Sequence, residues 1–155
     1  MRHLELAGVI SLVIVAFAAR ETIAQPRTCV RADIEEAFVL PDGSRHSAGL
    51  LRICLDRDYS PVAGLHSIMA GDHGTGTFLS RRVKPEGMSQ ASPQIAFFRD
   101  ASGALVLLGY TLEKRGKVEA YWLEPPRSKR AVAPEALQAR VPETGTVWLA
   151  AATIP

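Results

Sequence analysis

Cysteine and aromatic residues are both scarce in this 155-residue chain: there are two cysteines, and 6% of residues are aromatic. Two cysteines exclude a disulfide-dense miniprotein, and without other ligands they are too few for a zinc site. An excess of charge is also missing, since the formal net charge is +2. Lysine is rare: only Lys84, Lys114, Lys117 and Lys129 stand against 14 arginines. An arginine- and alanine-rich, lysine-poor chain is what a GC-rich genome writes, so the arginines do not by themselves announce phosphate chemistry. The densest basic run, Arg127, Lys129 and Arg130 with Arg140 beyond, has no interleaved aromatics and lies between Pro125-Pro126 and Pro134. It reads as a solvated loop and lacks the stacking platforms of a nucleic-acid surface. A single long apolar run is present, so the chain is not a multi-pass membrane protein. An apolar fraction of 47% excludes a disordered chain, and no glycine repeat suggests collagen.

That apolar run lies at the amino terminus. Arg2 and His3 precede Leu6 to Ala19, and Arg20-Glu21-Thr22-Ile23-Ala24 follows with a small residue at its end. This is the three-part secretory pattern. It predicts a cleaved signal peptide over 1–24, leaving Gln25 first, with a second candidate cut after Ala18. The run falls short of the ~20 residues that span a bilayer, which leaves an uncleaved anchor as the alternative. No cysteine stands just after the cleavage region to accept a lipid. Residues 25–155 are expected to form a single exported β domain, periplasmic or extracellular. In such a compartment Cys29 and Cys54 are expected to pair as one disulfide.

From Val30 onward the apolar period is 2. Val30, Ala32, Ile34, Phe38 and Leu40 share one face, and Pro41-Asp42-Gly43-Ser44 is a hairpin signal. A two-residue turn at Asp42-Gly43 predicts Val30 opposite Leu55, Ala32 opposite Ile53, and an Asp33–Arg52 ion pair. In that register Cys29 and Cys54 are diagonal neighbours, and closing the bond needs a bulge. Glu36, an acid on the apolar face, marks the bulge or a buried functional carboxylate. Strands are further expected over Gly64–Ala70, Thr75–Arg82, Gln94–Arg99, Ala104–Leu112, Lys117–Glu124 and Gly145–Thr153, with a loop over Val83–Pro93. With turns expected at Asp100-Ala101-Ser102-Gly103 and Lys114-Arg115-Gly116, the predicted pairs include Phe97 with Val106, Leu108 with Trp122, Tyr110 with Ala120 and Leu112 with Val118. The strand around Leu105–Leu108, apolar on both faces, is expected to be central and covered twice. One short helix is expected near Pro134–Arg140. The predicted class is all-β: an antiparallel hairpin meander of about eight short strands closing as a small barrel or a two-layer sandwich.

Residues with reactive potential are few. His46, His66 and His73 with Asp72 offer zinc- or copper-compatible ligands, but the His66–His73 spacing matches no metal motif. No G-x-S-x-G elbow occurs, and Gly71 to Gly76 lacks the Lys-Ser/Thr ending of a phosphate loop. No catalytic residue, metal ligand or cofactor is assigned. The favoured binding patch is Tyr59, His66, Asp72, His73, Arg81 and Arg82, in or beside the second hairpin. The sequence therefore predicts a non-enzymatic binding or accessory module of the cell envelope. Its partner would be a protein or small molecule, with no nucleic acid and no membrane span after signal cleavage. A small metal-dependent enzyme and a structural or assembly subunit are the alternatives.

Overall fold

Alternating apolar residues and glycine-bearing turns do build strands here. The computed structural model describes residues 27–59, 63–84, 93–125 and 146–154. Its elements are β1 (Thr28–Ile34), β2 (Phe38–Val39), β3 (Arg45–His46), β4 (Gly49–Tyr59), β5 (Ala63–Ala70) and β6 (His73–Val83). They continue with β7 (Gln94–Arg99), β8 (Leu105–Lys114), β9 (Lys117–Leu123), β10 (Thr146–Ala150) and β11 (Ala152–Ile154). The described residues contain no helix. The segment of the helix predicted near Pro134–Arg140 lies outside them, as do the signal peptide over 1–24 and most of the Val83–Pro93 loop.

The sheet runs β10-β7-β8-β9-β6-β5-β4-β1-β11, with β2 and β3 off this path. This corrects the predicted eight-strand antiparallel meander. The described residues form eleven strands, β2 lies parallel to β8, and β9 returns to pair with β6 rather than extending the sheet outward. Turn residues encode hairpins, but they do not say where a long connection will dock its next strand. The hydrogen-bonded path does not close into a barrel. Its two ends are successive pieces of one C-terminal segment, parted at Ala151, whose N–H donates to the Pro93 carbonyl at 2.9 Å. On one side of that break β10 pairs with β7, and on the other β11 pairs with β1.

The inner face holds the main core, including Val30, Ile34, Phe38, Ile53, Ile68, Phe97, Leu107, Tyr110 and Tyr121. A smaller cluster, Ala96, Leu108 and Trp122 with Phe98 and Trp148 against it, covers the other face of the β7–β10 half. β8 is therefore buried on both faces, as its double apolar pattern predicted.

Three predicted registers need correction. Cys29 lies directly opposite Cys54, and Val30 opposite Ile53, a shift of two from the predicted pairing. The turn has three residues, not two: Leu40 pairs with Ser44 around Pro41-Asp42-Gly43, and Gly43 has φ 83°. A break after Ile34 supplies the second step. An even shift preserves the faces, so the core residues survive while the partners change. The cysteines consequently bond without a bulge, at a Cα separation of 4.0 Å. Arg52 faces Arg31 rather than Asp33 and donates to the Met69 sulfur instead. Glu36 is neither buried nor at a bulge. It lies beyond the end of β1, solvent-exposed, and takes a two-pronged ion pair from Arg99 at 2.8 and 3.0 Å. At the β8–β9 hairpin the shift is by one: Tyr110 faces Tyr121, and Leu112 faces Glu119. That turn is the two-residue Arg115-Gly116, both with positive φ, where a three-residue loop was predicted. Phe97 likewise faces Leu107, because the turn after β7 is the three-residue Ala101-Ser102-Gly103 closed by Asp100 and Ala104, where four residues were predicted.

Candidate functional site

Toward one end of the sheet, the inward-facing positions change from apolar to polar on five strands at once. Phe78 is followed inward by Ser80 and Arg82 on β6, and Ile68 is preceded by His66 and Gly64 on β5. Leu112 is followed by Lys114 on β8, and Leu123 is preceded by Tyr121 and Glu119 on β9. β4 joins this set through a bulge. Leu55 faces His66, then Arg57 faces Leu65 and Asp58 faces Gly64, with Asp56 as the extra residue. Strict alternation from Leu51, Ile53 and Leu55 would send Arg57 inward and Asp58 outward; the bulge reverses this.

Asp58 is the hub of the resulting cluster. Arg82 Nη2 donates to both of its oxygens at 3.0 and 3.1 Å, and Lys114 Nζ donates to Oδ2. The same Arg82 nitrogen reaches the Tyr121 hydroxyl at 3.0 Å and Glu119 Oε2 at 3.1 Å, and Tyr121 in turn donates to Glu119 at 2.6 Å. Its guanidinium also lies 5.3 Å from the Tyr121 ring centre, a cation–π distance. Burial works to raise the Asp58 pKa, but Lys114 and Arg82 outweigh it and hold the carboxyl below its usual range. For Arg82 burial works to lower the pKa, and Tyr121, Glu119 and Asp58 outweigh it, so the charge is retained. Burial pushes the Tyr121 hydroxyl well up, helped by its bond to Glu119.

Behind this charged layer sits a hydroxyl–imidazole–hydroxyl relay. His66 Nε2 lies 2.6 Å from Ser80 Oγ, and Nδ1 lies 2.9 Å from the Tyr110 hydroxyl. Burial lowers the His66 pKa to about 4, with Asp58 opposing only in part. The neutral ring has one donor and one acceptor nitrogen, and two rotatable hydroxyls satisfy either tautomer. Gly64 makes room for the ring, since a Cβ there would stand 2.7 Å from His66 Nε2. A serine hydrogen-bonded to histidine has the atoms of acyl transfer. Here the serine is 2% exposed and the histidine 0%, and a phenol rather than a carboxylate stands behind the ring. In this arrangement the relay joins three strands, and no substrate carbonyl reaches Ser80.

Where β1 begins and β4 ends, a groove of about 340 Å³ opens beside Asp58, with Arg27, Arg57, Tyr59 and Lys114 in its lining. Tyr59 is 47% exposed. Arg57 is exposed and has no ion-pair partner among the described residues. The predicted patch divides around this groove. Tyr59 is on its rim, while Arg82 and His66 lie in the layers behind. Arg81 is adjacent but points to the outer face, opposite Trp122. Asp72 and His73 do not join them, because they form the far tip of the β5–β6 hairpin, ~20 Å away along the strand. Sequence reasoning assigned no site role to Asp58, Lys114, Glu119, Tyr110 or Tyr121. The available signal was the shared polar turn of five inward faces, which becomes visible only with correct registers.

The three histidines proposed as metal ligands are separated. His46 bonds Ser44 and stacks on Phe38, His66 is buried, and His73 is at the far tip. Among the described residues, no three histidine, cysteine or carboxylate side chains are grouped to hold a metal ion. No helix among them is long and apolar enough to cross a membrane, and the Cys29–Cys54 bond is what an exported chain would carry. No family model, characterised protein or solved structure matches the chain.

Proposed function

We propose that this is an exported, non-enzymatic binding or accessory module of the cell envelope, whose small-ligand site is the groove beside Asp58. The observation that carries this reading is the contrast between the two layers. The reactive-looking groups, Ser80, His66 and Tyr110, are sealed and bonded to one another. The groups that remain available, the Arg57 guanidinium and the exposed Tyr59 ring, stand at the rim of a cleft of ligand size. A guanidinium beside an aromatic face suits an anionic ligand with a flat ring or sugar face.

Native and denaturing mass spectrometry of the protein from its exported fraction tests this. The expected result is a chain starting at Gln25, lighter by 2 Da for the disulfide, with an adduct retained only under native conditions. The Arg57→Ala and Tyr59→Ala variants should lose that adduct. Stoichiometric bound metal would overturn the reading in favour of a metal-dependent enzyme. Recovery only in membranes with Met1–Ala24 attached would overturn the cleaved, exported form.

A further inference from the structure

The outer face of the sheet is not uniform. Its β7–β10 half is covered by the Trp122–Trp148 cluster, whereas the β1–β4–β5–β6 half faces solvent. Only two large hydrophobic side chains among the described residues are exposed, Tyr59 at 47% and Leu79 at 46%. The registers put both on this half. Arg57, Leu65 and Leu79 form one cross-strand row, and Tyr59, Ala63 and Arg81 form the next. Two rows toward the opposite end, Arg31 faces Arg52 directly. Four arginines therefore flank Leu65, Leu79 and Tyr59 over ~20 Å of strand length, with the Cys54–Ser67–Thr77 row between them. Three acids lie on the same face: one is Glu124, which continues the β6–β9 ladder opposite Leu79 and donates its backbone N–H to the Leu79 carbonyl at 2.7 Å, and the other two are on β4 and β1. Asp56 is already held by Ser67 and Arg27, and Asp33 is alone at the edge. Arg31, Arg57 and Arg81 have no ion pair among the described residues, and like charges set opposite one another cost stability that no internal partner here offsets.

We propose that this face seats the module on an anionic phospholipid surface. The arginines would meet headgroup phosphates while Leu79, Leu65 and Tyr59 enter the boundary of the acyl layer. Charge and apolar surface are interleaved on one face, and this favours a bilayer over a soluble polyanion, which would use the arginines and leave Leu79 exposed. The face is separate from the sealed Ser80–His66 relay and shares only the Arg57–Tyr59 rim with the groove. Its failure would leave the ligand reading standing.

The test uses the full chain carrying Leu79→Trp, with vesicles of phosphatidylglycerol whose acyl chains are brominated to quench tryptophan. The readout is local to residue 79, so it is not confused with membrane binding by the apolar Leu6–Ala19 stretch. Wild-type chain supplies the background from Trp122 and Trp148. Quenching of the new tryptophan is expected with phosphatidylglycerol, with little in pure phosphatidylcholine. It should weaken as salt rises. Adding Arg57→Ala and Arg81→Ala should weaken apparent affinity by about fivefold for each arginine. Vesicle binding without quenching at residue 79 would place the contact elsewhere and overturn the proposal. Equal quenching in phosphatidylcholine would remove the role of the arginines. Retention on heparin with no quenching would assign the face to a soluble polyanion instead.

Discussion

His66 gives the fold a defined weakness to acid. The imidazole titrates near 6.5 when solvated and at about 4 in the folded chain, where burial disfavours the cation. Above pH 6.5 both states are neutral and stability is at its full value. As pH falls from 6.5 toward 4, the unfolded chain takes up a proton that the folded chain refuses, so stability declines. It levels off below 4, once both states are charged. A tenfold difference in proton affinity is worth about 1.36 kcal/mol, so the full loss is about 3 kcal/mol, of which about 2 kcal/mol is already lost between pH 7.5 and 5. The lowered carboxyls of Glu36, Asp58 and Asp100 add losses only as pH drops below their ordinary values of 4.5, 3.8 and 3.8, leaving the window from 6.5 to 5 to His66. Urea unfolding of the oxidised protein across this range, followed by circular dichroism, measures the slope. His66→Gln should start less stable by about 1–3 kcal/mol, because Ser80 or Tyr110 loses a partner, but its stability should be flat from pH 7.5 to 5. A His66→Gln profile that falls as steeply as the wild type would refute the assignment.

Other substitutions check the remaining contacts. Replacing both Cys29 and Cys54 by Ser opens a loop of 25-residue separation and should cost about 3–4 kcal/mol in urea unfolding. Gly109→Ala should prevent folding or cost about 3 kcal/mol or more, because its Cβ would stand 2.0 Å from the Tyr121 carbonyl oxygen and 2.5 Å from the Trp122 ring. The control Gly74→Ala, with nothing within 4 Å, should change stability by less than about 1 kcal/mol. Asp58→Asn removes the carboxylate shared by Arg82 and Lys114. It should cost about 1–2 kcal/mol, since these groups are partly solvated, and the cost should shrink in high salt.

The strands were legible because a period of 2 survives most errors of register. Moving Cys29 from Asp56 to Cys54 is a shift of two, so Val30, Ala32, Leu51 and Ile53 stayed on the core face although each partner was wrong. The β8–β9 hairpin shows the opposite case. Reading Lys114-Arg115-Gly116 as the loop, when Arg115-Gly116 alone makes the turn, is an error of one. It hid the stacking of Tyr110 on Tyr121 by setting those residues against Ala120 and other partners. An arginine with positive φ is an uncommon turn former, and the sequence carried no sign that Arg115 would accept it. The partner-switching C-terminal segment was hidden for a different reason. Gly145–Thr153 reads as one strand, and the break at Ala151 reflects where β7 and β1 lie in space, not a local breaker.

The site depended on a feature that leaves still less trace in the sequence. Asp58 joins Arg82 and Lys114 only because Asp56 is an extra residue in β4, and the run Leu-Asp-Arg-Asp-Tyr contains no glycine or proline to mark it. Charge alternation there looks like a solvated edge strand. A regular strand would instead have turned Arg57 inward, toward a layer that already contains Arg82 and Lys114. That arrangement would bury a third cation and leave Asp58 in water. Electrostatics therefore selects the bulged register over the regular one by placing an acid, not a base, between the two cations. This preference comes from strands β6 and β8, far along the chain. It explains why the polar end of the core becomes intelligible only once the sheet is assembled.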